Sequence, residues 1–251
     1  MSTRRHEGDW VHADRLLASL RRVVVFCGGF GTGKTEVAVN FALLLARDGR
    51  RVRLADLDIV NLYFRSREVR RYLRDMGIEV LVPEERLVNA DMPVILPEVR
   101  GALEHPDGNL VLDLGGDPSG ARVMASLAGL VPPEETATWL VVNSRRPESE
   151  SADAVLRMLA SIESASGLRI TGLVVNSHLA DETTPAIIEE GVRLAAAVHG
   201  AGGPGIIFVA MERRLAGEID AGALGYPVIF LQREMLKPWE TGGHPARADE
   251  H

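Results

Sequence analysis

Short, uniformly apolar segments alternate with segments of helical periodicity along most of this chain of 251 residues. Within the apolar segments, polar residues do not alternate with apolar ones, which is typical of strands that are covered on both faces. The segments between them are long enough to cross from one parallel strand to the next. The pattern therefore predicts an α/β fold, with a doubly wound, mostly parallel sheet and helices on both faces.

The predicted strands span residues 23–27, 51–58, 78–82, 109–114, 138–143, 170–175, 206–210 and 228–231. The first helix ends at the stop signal Gly49, and later helices are predicted at 67–76, 119–127, 148–163, 185–199 and 212–221. We expect one domain over residues 23–231, preceded by an N-terminal extension (1–22). Residues 232–251, which are rich in glycine, proline and charge, are expected to form a loose tail.

The composition excludes several classes of protein. Apolar residues make up 46% of the chain and charged residues 25%, as in an ordinary globular protein. No apolar run is long enough to cross a bilayer and residues 1–22 contain no apolar signal core, so we expect a cytoplasmic protein without a membrane anchor. The net charge of −7 argues against nucleic acid as a partner, because a negative surface as a whole repels phosphates. The single cysteine, Cys27, excludes an intrachain disulfide and is expected to be a buried thiol.

A glycine-rich segment joins the first predicted strand to the first helix. Residues 28–35 read GGFGTGKT, which matches the phosphate-loop pattern G-x-x-x-x-G-K-[ST]. The pattern is informative only between a strand and a helix, and the apolar runs on both sides meet that condition. Lys34 is one of only two lysines in a chain that otherwise uses arginine, which indicates a site that needs a compact charge on a flexible stem.

This loop predicts a nucleotide site. Its backbone N–H groups would point at phosphate oxygens near the positive end of the helix. Lys34 would reach the β- and γ-phosphates, and the Thr35 hydroxyl would bind Mg²⁺. The candidate nucleotide contacts are Gly29, Phe30, Gly31, Thr32, Gly33, Lys34, Thr35 and Glu36.

Acidic residues end two of the predicted strands, where α/β sheets bind their ligands. Asp113 is followed by Gly116 in a D-x-x-G arrangement, in which the carboxylate reaches Mg²⁺ and the glycine amide senses a γ-phosphate. Asp56 and Asp58 end the strand before it. We expect one of these two to hold the Mg²⁺ shell and the other to position the attacking water, although strand-end aspartates that cap loops are the alternative.

Asn176 ends another strand and could exchange hydrogen bonds with the edge of a purine, although a turn asparagine is the alternative. The guanine-selecting N-K-x-D sequence is absent because Ser177, His178 and Leu179 follow it. We therefore expect ATP to be preferred over GTP. The pair Arg145 and Arg146 is expected to be a solvated charge, with a contact to a partner or to phosphate as the alternative, and carries little information.

The chain resembles the MinD, ParA and CobQ-type group of phosphate-loop proteins, the SIMIBI class, from residue 23 to about 231. The resemblance rests on GGFGTGKT, RVRLADLDIVNLYFRSRE, NLVLDLGG and GLVVNS. It implies binding of ATP or ADP with Mg²⁺ and slow hydrolysis. In many members it also implies nucleotide-controlled dimers that act on a protein, DNA or membrane partner.

Three departures from the group bear on that expectation. Many members carry K-G-G-x-G-K-T, whose first lysine reaches the nucleotide of the partner subunit, and the matching residue here is Gly29. A homodimer of this chain would therefore form without that lysine, in whose place an arginine could act. The tail has no counterpart of the membrane-binding helix of MinD, and no C-x-x-C is present to hold a bridging metal or cluster.

Two functions fit these observations. The first is an ATPase that acts as a regulatory or accessory switch on a protein partner, with slow turnover alone and faster turnover with the partner. The second is a metabolic synthetase that resembles dethiobiotin synthetase and the cobyrinate amidases, in which ATP phosphorylates a bound carboxylate. The second function would need a substrate pocket. Residues 83–108 are the segment irregular enough to form one.

Overall fold

The computed structural model confirms the predicted α/β fold. It describes residues 10–57, 67–81, 97–104, 107–115, 120, 123, 125–126, 129–130 and 132–233. Within these residues one sheet contains nine strands: β1 (Trp10–Val11), β2 (Val23–Cys27), β3 (Val52–Asp56), β4 (Ile78–Leu81), β5 (Asn109–Asp113), β6 (Thr136–Val142), β7 (Gly172–Val175), β8 (Ile206–Glu212) and β9 (Val228–Leu231).

The strand order is β1-β9-β8-β7-β6-β2-β5-β3-β4. Only β1 is antiparallel to its neighbour, β9, and the other pairs are parallel. Parallel strands end at a common edge, so the carboxyl ends of β2, β3, β5, β6 and β7 lie along it. β2 lies between β5 and β6, which places the loop after β2 at the centre of this edge.

Helices cover both faces of the sheet. One face carries α1 (Asp14–Ala18), α2 (Lys34–Arg47) and α3 (Arg67–Asp75), and the other carries α4 (Pro97–Glu104), α5 (Ala152–Ser166) and α6 (Pro185–Gly200). Successive residues of β2 alternate between the two cores: Val23 and Val25 lie on the α5 side, and Val24 and Phe26 on the α2 side. This alternation requires both faces of a strand to be apolar, which explains the uniformly apolar segments.

Aromatic side chains hold α2 against the sheet. Phe41 of α2 packs on Phe26, Trp139 and Phe208 from three different strands, with ring centroids 5.3 to 5.8 Å from its own. Edge-to-face and stacked pairs at such separations contribute about 0.5–1.5 kcal/mol each beyond burial. Because α2 begins directly after the glycine-rich loop, this packing also fixes the position of that loop.

Two elements differ from the sequence predictions. Strand β1 lies in residues 1–22, where no strand was predicted, and its two residues pair with Val228 and Ile229. The helix predicted over 212–221 is wrong: two short 3-10 segments, Arg213–Gly217 and Ala221–Leu224, occupy this region. The Asp220 side chain accepts hydrogen bonds from the N–H groups of Gly222 and Ala223, so a new cap begins where an α-helix would have continued.

Across the residues that the structure describes, no helix combines the length and the apolarity needed to span a bilayer.

Candidate functional site

The loop after β2 has the backbone of a phosphate cradle. Gly28, Gly31 and Gly33 have φ values of 145°, 72° and 82°, which side-chain-bearing residues rarely adopt. Gly33 is the N-cap of α2, and its carbonyl accepts the first helical bond from Val37 N–H at 3.0 Å. The chain therefore enters α2 with the N–H groups of the first helical turn directed at the loop, where they would stabilise a phosphate.

The polar side chains of the loop are buried within it. Lys34 is 6% exposed, and its Nζ donates to the Gly29 carbonyl at 3.4 Å across the loop. The Thr32 hydroxyl donates to the same carbonyl at 3.0 Å. Thr35, in the first turn of α2, is 8% exposed. The geometry brings the predicted lysine and the predicted Mg²⁺-binding hydroxyl to the same end of the helix.

Asp56 and Asp113 lie side by side at the carboxyl ends of β3 and β5. They are paired in register and are 4% and 0% exposed. Asp113 is in turn paired in register with Phe26, so both carboxylates belong to the sheet face that carries α2. Two buried carboxylates on neighbouring strands, whose spacing is about 4.8 Å, are an arrangement that a cation stabilises.

The donor set fits Mg²⁺, which prefers carboxylate and hydroxyl oxygens and keeps several waters. Asp56, Asp113 and Thr35 would hold it, and the ion would neutralise phosphate charge. Two other predicted residues of this region, Asp58 and Gly116, lie outside the described residues.

Asn176 lies at the phosphate loop. Its Nδ2 donates to the Thr32 carbonyl at 2.8 Å, and it is 5% exposed. A β-carbon added to Gly33 would collide with this amide and lie 3.1 Å from Nε2 of His178. From the end of β7, Asn176 therefore contacts the loop that follows β2. Its predicted role, hydrogen bonding to a purine, did not include this contact.

Arg146 is a residue of the site that the sequence reasoning missed. Its Nε donates to the Gly31 carbonyl at 2.8 Å, so this guanidinium does not lie in open solvent as was expected. Its neighbour Arg145 instead pairs with Glu190 on α6. The signal that could have found Arg146 is its place in the loop that follows the buried strand β6, since ligands bind beyond the carboxyl ends of such strands.

The position of the missing signature lysine, Gly29, is covered by an acidic residue. A β-carbon on Gly29 would lie 2.5 Å from a carboxylate oxygen of Glu148 and 3.6 Å from Sδ of Met158. A side chain at this position would therefore have to displace Glu148. The next residue, Phe30, is 83% exposed, more than any other large apolar side chain among the described residues.

Cys27, the last residue of β2, is buried as predicted. Burial raises the pKa of its thiol to about 12, although the charge of Lys34 opposes the shift and that of Glu163 adds to it. The thiol therefore stays protonated at neutral pH and is a poor nucleophile.

His178 makes the stability of this region depend on pH. Burial lowers the pKa of His178 below 6.5, as do the charges of Arg146 and Arg233, while Glu212 opposes the shift. The unfolded chain therefore binds this proton more tightly, so the free energy of unfolding falls as the pH drops from 6.5 towards the folded pKa. We expect His178→Asn to reduce the difference in unfolding free energy between about pH 7.5 and pH 5.5, measured with denaturant.

The wild type, measured at the same two pH values, is the reference for this prediction. An unchanged difference in His178→Asn would contradict the assignment of this pH dependence to His178.

A family model described as the CobQ/CobB/MinD/ParA nucleotide binding domain matches residues 23–201, well over half of the chain. This chain belongs to that nucleotide-binding family. The match includes the phosphate loop, both aspartates and Asn176, and it confirms the resemblance drawn from the motifs. No curated protein matches the sequence at a significant level.

Solved structures show the same fold at low sequence identity. The cell division protein FtsY of Thermotoga maritima is 22% identical, with 76% of this chain and 61% of that chain covered and a TM-score of 0.52. FtsY of Mycoplasma mycoides is 16% identical, with 76% of this chain and 59% of that chain covered and a TM-score of 0.52. The signal recognition particle receptor FtsY of Elizabethkingia anophelis is also 16% identical, with the same coverages and a TM-score of 0.51. The chain spans about three fifths of the length of these structures.

Proposed function

We propose that this protein is a Mg²⁺-dependent ATPase that acts as a nucleotide-controlled switch on a protein partner. The observation that carries the proposal is the convergence of Lys34, Thr35, Asp56 and Asp113 on the edge where the phosphate loop opens into α2. Family membership supports nucleotide binding at this edge. The choice of ATP is supported by the absence of N-K-x-D after β7.

Catalysis of phosphoryl transfer depends on positioning and on neutralising charge, with little covalent chemistry by the protein. The loop N–H groups and Lys34 would bind the β- and γ-phosphate oxygens and stabilise their negative charge in the transition state. Thr35, Asp56 and Asp113 would hold Mg²⁺, which supplies further charge neutralisation. Asp58 remains our candidate for orienting the attacking water.

We propose that the partner covers the exposed Phe30. Its ring is 83% exposed within the phosphate loop, so a partner that binds over the nucleotide would contact it. A second copy of the chain is one candidate partner, and Gly29 means that such a dimer would form without the signature lysine.

The test is turnover of ATP and of GTP by the purified protein, with its mass in solution recorded in ATP and in ADP. We expect tighter binding of ATP than of GTP, slow hydrolysis that stops when Mg²⁺ is chelated, and a mass that changes between the two nucleotides. Turnover that begins only after a carboxylate metabolite is added would favour a synthetase instead. Binding of neither nucleotide would overturn the proposal.

A further inference from the structure

Two side chains from outside the phosphate-loop motif hold two successive carbonyls of the loop. Arg146, after β6, donates to the Gly31 carbonyl, and Asn176, after β7, donates to the Thr32 carbonyl, both at 2.8 Å. The partners are 115 and 144 residues apart in sequence. The Arg146 guanidinium also packs on the loop, since a β-carbon on Gly31 would lie 3.3 Å from its Nε.

These two bonds orient two N–H groups. In a trans peptide the carbonyl and the N–H point in opposite directions, and no peptide in the described part of the chain is cis. Holding the Gly31 carbonyl towards Arg146 therefore turns the Thr32 N–H away from it. Holding the Thr32 carbonyl towards Asn176 likewise turns the Gly33 N–H away from Asn176. Both groups are thus set in place before any anion arrives.

The two loops that carry these side chains are tied to each other. The fully buried Asn143 accepts from His178 N–H through Oδ1 and donates to the His178 carbonyl through Nδ2, each at 3.2 Å. Ser144 N–H donates to the Ser177 hydroxyl at 3.0 Å. Arg146 and Asn176 therefore act from one connected support and not from two independent loops.

We propose that Arg146 and Asn176 are positioning residues, which together form a clamp that presets the phosphate loop for polyphosphate. The inference deepens the proposed function, because it rests on polyphosphate binding at this loop. A preset loop loses less conformational freedom when its ligand binds, so the clamp raises affinity through the phosphates. The contribution of Asn176 is then independent of the base of the nucleotide.

The experiment measures the affinities of ATP, GTP and inorganic pyrophosphate, each with Mg²⁺, for Arg146→Ala, Arg146→Lys and Asn176→Ala. We expect each alanine variant to weaken all three ligands about tenfold, since each loses one charge-assisted or amide hydrogen bond to the loop. The ratio of ATP to GTP affinity should stay unchanged. Arg146→Lys retains a donor and should recover most of the loss.

Arg145→Ala is the matched control, because its guanidinium pairs with Glu190 and makes no bond to the loop. It should bind all three ligands as the wild type does. The double variant Arg146→Ala, Asn176→Ala should lose less affinity than the product of the two single losses. Either change already releases the turn at Gly31 and Thr32.

Three results would overturn the clamp. The first is Arg146→Ala binding pyrophosphate as tightly as Arg145→Ala. The second is Asn176→Ala changing the ATP to GTP ratio while leaving pyrophosphate unaffected, which would make Asn176 a base-reading residue. The third is that the alanine variants lose affinity only in proportion to a lowered melting temperature of the free protein, and that Arg146→Lys does not recover the affinity. Failure of the wild type to bind pyrophosphate or nucleotide would instead overturn the proposed function.

Discussion

Lys34→Ala is expected to weaken ATP binding by about tenfold to a hundredfold. The Lys34 ammonium lies inside the loop, 6% exposed and 3.4 Å from the Gly29 carbonyl, so it reaches the phosphate site without reorganisation. A hydrogen bond between charged groups in such a site contributes about 1.5–3 kcal/mol, and each 1.4 kcal/mol is a factor of ten in affinity. The measurement is the dissociation constant of ATP with Mg²⁺ for the folded variant.

Lys237→Ala serves as the control for this prediction, because Lys237 is the only other lysine of the chain. It should bind ATP as tightly as the wild type. Lys34→Arg should weaken ATP binding as well, since a flat guanidinium does not fit the space of a compact ammonium. ATP affinity that is unchanged in Lys34→Ala would remove the phosphate loop from the nucleotide site.

Gly28→Ala is expected to lower the free energy of unfolding by about 4 kcal/mol. Gly28 has a φ of 145°, and an added β-carbon would lie 2.5 Å from the Val141 carbonyl oxygen in the neighbouring strand. Strain of the backbone costs about 1–3 kcal/mol, and overpacking against atoms that cannot move costs about 1–3 kcal/mol more. For a domain of this size we expect a fall in melting temperature of about 10 °C.

Gly49→Ala separates these two contributions. Gly49, after α2, has a φ of 82° but no atom within 4 Å of an added β-carbon. The alanine there should cost only the backbone strain, about 1 kcal/mol. Equal losses of stability in the two variants would mean that the contact with Val141 does not limit the residue at position 28.

The fold and the motif residues of the candidate site could be predicted from the sequence because their signals are local. The phosphate loop needs glycines at fixed offsets between a strand and a helix, and residues 23–47 carry all of these within one segment. The strand-end aspartates Asp56 and Asp113 follow from the rule that ligands bind at the carboxyl ends of parallel strands. A helix was wrongly predicted after β8 because hydrophobic periodicity does not detect the Asp220 side chain as a cap, which begins a new 3-10 segment there.

The parts of the site that were missed depend on which strands are neighbours. Arg146 has the local surroundings of a surface arginine, and only the order β7-β6-β2 brings it to Gly31. The same order turns Asn176 towards Thr32 and places Glu148 against Gly29. Strand β1 was missed for a similar reason, since two residues have no periodicity and their pairing with β9 is a contact across the chain.

The sequence by itself therefore determined the class of fold and the positions of the glycine-rich loop and of the two strand-end aspartates, because backbone conformation and hydrophobic periodicity act over a few residues. The tertiary structure alone decided what surrounds the loop. Hydrogen bonds between Gly31 and Arg146, and between Thr32 and Asn176, join residues more than a hundred positions apart, and they form only when the sheet has its final strand order.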